Sequence, residues 1–338
     1  MELKIEPTHK CNLKCRHCSS VGAYYDRDMT LTQFKGIAYQ AWEYGFTSLA
    51  ISGGEPLLWE PLFPALEYVK LLPLSVTLYT SGNPTLRAVE LSALKVFGVQ
   101  RIIFSVHGAL GETHDAITRV PGSFGNTYTS LQNAIQAGFS VELHSVPVRS
   151  NFKELMLLLK MADSLGVKKV SLLRFVPHGR GASFDEALTP QEYQELRRTL
   201  TEAWCGGFGG DRPRLGAPFN FLNCRPGDAQ VCVPGIGKAT VGPDLRVFPC
   251  DAFKHIAPWQ IGLQEEPHPS LAWKDLRWCL RNSPYFREVR RLAVTGAHAG
   301  TCGDCSDIKN CGGGCLAQKI LAGLQATDRD PACNKTQD

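Results

Sequence analysis

Cys11, Cys15 and Cys18 fall within eight residues, and three thiolates on one tight loop suit an iron-sulfur cube that keeps one iron open. Tetrahedral zinc asks for a fourth ligand close by, which His17 or His9 could supply, so spacing alone admits both metals. The run Gly53-Gly54-Glu55-Pro56 tips the balance. Glycines there expose backbone to a ligand, and Glu55 can receive an ammonium group, so the loop and this turn together read as a cluster with an amine-bearing molecule beside it.

A second cysteine set lies near the other end: Cys302-x2-Cys305-x5-Cys311-x3-Cys315, then Cys333, preceded by Cys224, Cys232 and Cys250. Thirteen cysteines would suggest disulfides in a secreted chain, but the number is odd, the spacings are short and the N-terminus has no apolar export segment. Metal binding is the better reading, with one or two structural zinc sites as the alternative in this half. Cys205 and Cys279 fit no spacing and read as plain buried thiols. A last run, Arg174 to Gly181, contains Gly-Arg-Gly; it is either a tight turn with an exposed arginine or a place where Arg174 or Arg180 meets a carboxylate.

Short apolar runs alternate with amphipathic stretches, the pattern of βα units around a parallel sheet. Strands are expected at Leu3 to Pro7, Ser48 to Ser52, Ser75 to Thr80, Arg101 to Val106, Ser140 to Val148 and Val170 to Phe175. Helices are expected at Thr32 to Tyr44 with Thr30 and Gln33 as a capping box, at Pro61 to Leu71, at Pro84 to Phe97 with Asn83-Pro84 as cap and first turn, and at Phe124 to Ala137, Phe152 to Leu165 and Thr189 to Trp204. Six such units make a partial barrel more fitting than an open sheet. Residues two apart share a strand face, so Glu142 with His144, and Ser105 with His107, are expected to line its interior; the plainer reading of His107 and His144 is satisfied core or rim histidines. Glycines and prolines after Trp204 break the periodicity. Residues 1–204 therefore read as the barrel, 205–223 as a linker and 224–338 as a cysteine-rich unit stapled by metal, with a hairpin at Ala239 to Pro249 and a helix around Pro284 to Val294.

The 338 residues have ordinary globular composition, and a formal net charge of +4 with no dense basic run excludes a nucleic-acid partner. No apolar run is long enough to span a bilayer, so the expected location is cytoplasmic.

With Cys11-x3-Cys15-x2-Cys18 and Gly53 to Pro56 taken together, the chain resembles the radical S-adenosylmethionine (SAM) superfamily over about residues 3 to 200. The resemblance implies an α/β fold, a (β/α)6 partial TIM barrel followed here by a small cysteine-rich SPASM domain. It implies that Cys11, Cys15 and Cys18 hold three irons of a 4Fe-4S cluster whose fourth iron is chelated by SAM, and that Gly53, Gly54 and Glu55 hold the methionine amino group. His17 stands where an aromatic residue packs near adenine, Ser105 and Arg119 fit positions that contact ribose or carboxylate, and Thr80-Ser81-Gly82 stands where Thr-Asn-Gly is frequent. One electron then breaks the sulfonium C–S bond to give methionine and a 5'-deoxyadenosyl radical that abstracts hydrogen.

The second set resembles the seven-cysteine SPASM pattern, which implies two auxiliary 4Fe-4S clusters. Cys302, Cys305, Cys311 and Cys333 would bind the distal one, and Cys232, Cys250 and Cys315 the proximal one, with Cys224 as its fourth ligand or an open iron in its place. The usual glycine five residues before Cys250 is Leu245. By the same resemblance the substrate is a peptide or protein, with a small molecule such as a tetrapyrrole, sugar or nucleoside as the alternative and a non-catalytic metal protein as a third. A flavodoxin- or ferredoxin-type reductant is implied. Strand one begins at Leu3 with no leader-recognition domain before it, so a peptide would be recognised by a separate protein or by its own short motif.

Overall fold

A computed structural model describes residues 1–20, 27–205, 213–215, 234–298, 300–306 and 308–333. Cys224, Cys232 and most of the expected linker lie outside these residues.

Alternation of apolar and polar residues produces the strands β1 (Glu2–Thr8), β2 (Ser48–Gly53), β3 (Ser75–Thr80), β4 (Val99–Ser105), β5 (Ser140–Ser145) and β6 (Lys169–Leu172), all parallel. Between and after them run helices α1 (Leu31–Tyr44), α2 (Leu62–Val69), α3 (Ala88–Val96), α4 (Gly111–Thr118), α5 (Ser123–Gln136), α6 (Leu155–Ser164) and α7 (Pro190–Cys205). One set of strand residues, including Leu3, Ile5, Leu49, Ile51, Leu78, Ile102, Phe104, Leu143 and Leu172, is buried in the core under the helices. The alternate residues are mostly polar, with Ala50 and Ile103 as apolar exceptions. Arg101 donates to Glu142 at 3.1 Å and to Thr77, and Tyr79 meets the His144 ring edge-on at 5.2 Å.

The capping box forms as expected: Thr30 Oγ1 accepts from Gln33 N–H at 3.2 Å, and Gln33 Oε1 from Thr30 N–H at 2.8 Å. The Asn83-Pro84 expectation is corrected. Helix α3 starts at Ala88, because the Asn83 amide is occupied in donating to the Ser123 carbonyl and Thr127 Oγ1, which ties this loop to α5 instead of capping α3. Helix α4, which carries His114, has too few apolar positions to show in the pattern.

Two further strands, β7 (Pro213–Leu215) beside β6 and β8 (Lys238–Val241) beside β1, extend the sheet in parallel, and β9 (Val247–Phe248) closes the expected hairpin against β8. The hairpin thus belongs to the barrel sheet and not to a separate one. Its turn includes Leu245 at φ 68°, the left-handed conformation that glycine adopts at least cost, so the backbone a glycine would favour is kept with a leucine. Helices α8 (Leu276–Arg281), α9 (Pro284–His298), α10 (Ile308–Cys311) and α11 (Leu316–Leu321) follow. Cys279 is wholly buried in the core, as a plain thiol should be.

Candidate active site

The cysteine loop leaves the C-terminal end of β1, and its backbone is fastened from three sides. Lys14 N–H and Arg16 N–H donate to the Thr118 and Ile117 carbonyls at the end of α4, at 3.0 and 2.8 Å. Gly54 and Glu55 donate their N–H groups to the Thr8 and Lys10 carbonyls, each at 2.8 Å. From beyond β6, Arg180 donates through Nε to the Cys15 carbonyl at 2.9 Å and through its backbone N–H to the Cys18 carbonyl at 3.0 Å. Arg180 thus binds the loop that carries the thiols.

Contact with this loop explains the two glycines. A Cβ on Gly54 would stand 2.1 Å from the Lys10 carbonyl oxygen, and one on Gly53, at φ 113°, 2.4 Å from that of Thr8. Their absent side chains let the β2 turn close against the root of the loop. Glu55 is equally committed. Its buried carboxylate accepts from Thr80 Oγ1 at 2.8 Å, Ser81 N–H at 2.9 Å, Ser81 Oγ at 2.7 Å and Leu57 N–H at 3.4 Å. Burial pushes this carboxyl above its ordinary range against the pull of those donors. Glu55 therefore joins the ends of β2 and β3, Pro56 opens the following 3-10 turn, and Ser81 supplies two of the four donors.

Cys11 is exposed while Cys15 and Cys18 are half-buried. Burial pushes the Cys15 thiol up to about 12, the neighbouring sulfurs of Cys18 and Cys11 adding to the effect. His9 Nε2 lies 3.1 Å from Glu6 while its buried Nδ1 has no partner, and His17 packs edge-on against His107 with ring centroids 4.2 Å apart. Three thiols on one loop fit a cube with three protein ligands. Among the described residues no three His, Cys, Asp or Glu converge tightly enough for a single metal ion; a cube spreads its ligands around a larger body.

His107, past the end of β4, is buried, stacks on His114 at 5.8 Å and gives its backbone N–H to His114 Nδ1 at 3.2 Å. Burial and the neighbouring imidazoles hold His107 well below its ordinary pKa, burial with His114 and Arg180 brings His17 to about 4, and burial against the pull of Asp115 brings His114 to about 4, so all three rings are neutral near pH 7. Ser105 sits in register with His144 on β5, and His144 with Ser171 on β6. The two arginines expected near a ligand lie as follows. Arg119 is exposed at the left-handed C-cap of α4, whose neighbour Asp115 accepts from the first N–H groups of α5. Arg174 meets a carboxylate of this chain, that of Asp330, through two bonds of 2.6 Å.

The C-terminal cysteines approach the same end of the barrel. Cys250 precedes a 3-10 turn, Asp251–His255, from which Lys254 donates to Glu6 at 2.8 Å and to Ser20 Oγ at 3.0 Å, and His255 reaches the Ser19 carbonyl. His255 also stacks on His178 at 4.3 Å with the rings nearly parallel. Lys254, His255 and Asp330 carry no motif of their own; only their nearness to Cys250 and Cys333 could have singled them out, whereas Ser81 lies in the Thr80-Ser81-Gly82 run.

Residues 5–175 match the family model described as the Radical SAM superfamily. The chain belongs to this superfamily. As a radical SAM enzyme it binds SAM and a 4Fe-4S cluster. It is 27% identical over 347 residues to an AdoMet-dependent heme synthase of Methanosarcina barkeri, covering 97% of this chain and 94% of that protein. It is 29% identical over 341 residues to the mycofactocin maturase MftC of Mycolicibacterium smegmatis, covering 98% and 82%. The crystal structure of Streptococcus suis SuiB bound to S-adenosylmethionine shares the fold with a TM-score of 0.77 at 17% identity, over 99% of this chain and 77% of that one. Among the described residues no helix is long and apolar enough to cross a membrane.

Proposed function

We propose that this radical SAM enzyme is of the SPASM type and abstracts hydrogen from a peptide or protein substrate in the cytoplasm. The observation that carries the reading is the joining of both cysteine sets at one barrel end: Lys254 and His255, just past Cys250, hold Ser20 and Ser19, just past Cys18. A cluster held by Cys250 and its partners would be tied to the thiol loop through these two contacts, and the chemistry it would supply is one-electron acceptance or relay. The similarity to a PqqA peptide cyclase of Rhizobium meliloti, 26% identical over 341 residues, supports a peptide.

In this reading Cys11, Cys15 and Cys18 hold the radical-forming cluster, and Gly53, Gly54, Glu55 and Pro56 shape the turn that receives the methionine end of SAM, with His17 and Ser105 lining its other side. With cluster and SAM bound, an electron from a flavodoxin- or ferredoxin-type donor yields methionine and a 5'-deoxyadenosyl radical. Arg180 fixes the loop, Glu55 the turn, and the neutral rings of His17, His107 and His114 shield the interior from water. Residues 1–204 carry the six βα units and, after a linker at 205–223, residues 224–338 carry the auxiliary ligands while lending β8 and β9 to the barrel sheet, with Cys302, Cys305, Cys311 and Cys333 on one cluster and Cys224, Cys232, Cys250 and Cys315 on the other.

The likeness to a heme synthase over nearly its whole length favours a tetrapyrrole as the second reading. Anaerobically reconstituted enzyme, given SAM and dithionite with a peptide fraction or a tetrapyrrole fraction of cell extract, separates the two. A peptide that changes mass as 5'-deoxyadenosine accumulates supports the first; change confined to the tetrapyrroles overturns it.

A further inference from the structure

Arg174 lies just past β6, and Asp330 three residues before Cys333. Their side chains are 4% and 3% exposed. The guanidinium donates through Nη1 to Asp330 Oδ2 and through Nη2 to Oδ1, both at 2.6 Å, a planar fork on a planar acceptor. The carboxylate does more than answer the arginine. Oδ2 also accepts the backbone N–H of Cys315 at 2.8 Å, Oδ1 that of Ala332 at 2.9 Å, and the Asp330 carbonyl that of Cys333 at 2.8 Å. Gly314, beside Cys315, is at φ +85° and leaves no room for a side chain: a Cβ would stand 2.5 Å from that of Asp330. Next to the pair, Gln318 donates to the Phe175 carbonyl at 2.7 Å, a second tie between the same two segments.

We propose that the Arg174–Asp330 pair is a positioning and tuning device for the auxiliary clusters, joining a ligand of each to the barrel and balancing the charge beside both. The inference rests on the SPASM reading, in which Cys315 and Cys333 serve different clusters. Groups that orient metal ligands from outside the coordination sphere set affinity and potential as well as geometry. As a pair the two charges nearly cancel. Arg174→Gln leaves a buried carboxylate beside the ligands and disfavours the added electron; Asp330→Asn leaves a buried cation and favours it. A purely structural tie would move both variants the same way or neither.

The test uses the full chain with Cys11, Cys15 and Cys18 changed to Ala, so that the remaining iron belongs to the C-terminal cysteines. After anaerobic reconstitution, iron and sulfide are counted, and paramagnetic resonance follows a titration in which dithionite gives, and ferricyanide removes, one electron per cluster. The parent is expected to retain cluster iron, Arg174→Gln to shift the potential negative, Asp330→Asn to shift it positive, and Arg174→Lys to stay near the parent. Should Arg174→Gln not fold, a positive shift in Asp330→Asn with none in Arg174→Lys supports the proposal. Shifts of one sign in both charge variants, or none, overturn it. A parent without cluster iron overturns the SPASM reading itself.

Discussion

Lys254 Nζ stands 2.8 Å from Glu6 Oε1, with both side chains almost wholly buried although 248 residues separate them in sequence. Around them Lys4 donates to Asp251 at 2.6 Å and His9 meets the other Glu6 oxygen at 3.1 Å, so strand β1 and the turn after Cys250 are joined by a cluster of opposite charges. Burial works to raise the Glu6 carboxyl, but Lys254 and His9 outweigh it and hold it well below the usual carboxylate range.

Changing Lys254 to Met strands a buried carboxylate and is expected to cost about 3–5 kcal/mol, while Glu6→Gln in the same chain restores part of it. Denaturant titrations of the two single variants and the double variant measure the coupling. The sign with pH follows from the lowered Glu6 carboxyl. Its stabilising contribution is full above the ordinary carboxylate pKa and is lost as pH falls below it, so acid should weaken the parent's advantage over Lys254→Met.

Gly54→Ala drives a methyl group into the Lys10 carbonyl and should displace the root of the cysteine loop. About a 100-fold loss of 5'-deoxyadenosine formation is expected, since an ångström of misplacement costs that much. The C-terminal iron should survive. Equal loss of iron at both ends would contradict the local reading of this contact.

Cys15→Ala should abolish SAM cleavage while leaving the C-terminal clusters assembled, read by iron content and visible absorbance. Disappearance of all iron would show that the two sites do not assemble independently.

Glu55→Gln replaces one acceptor oxygen by a donor amide that must oppose the backbone N–H of either Ser81 or Leu57. One unmatched buried donor costs about 1–3 kcal/mol, to be seen as a lower denaturation midpoint. The same variant should bind SAM more weakly in equilibrium dialysis, because the β2 turn loses its anchor on β3.

His114 is buried neutral, lowered by burial from 6.5 to about 4. The unfolded chain therefore binds the extra proton first, and stability present above pH 6.5 drains away as pH falls from there toward 4. Thermal midpoints measured across this window should decline, and His114→Leu should decline less steeply.

The strands were legible because their apolar halves, such as Leu3 with Ile5 and Val141 with Leu143, alternate with polar residues, and the cysteine loop was legible because ligand spacing is local. What the sequence hid is long-range pairing of charge. Arg174 carried the right chemistry with the wrong partner, since nothing near residue 174 indicates that a carboxylate at 330 will fill its fork. Glu55 was found as a site residue, yet its four donors come from residues 57, 80 and 81, and saturation is a property of the folded loop. Arg119 followed a motif that, folded, is a helix terminus whose useful member is Asp115.

Strand β1, which launches the thiol loop, pairs with β2 on one flank and on the other with β8, whose residues 238–241 emerge from the ribosome long after it. Until then a row of peptide groups on β1 has no mate, a template open to another strand. The β1 flank of the sheet is therefore sealed only after residues 238–241 have been made.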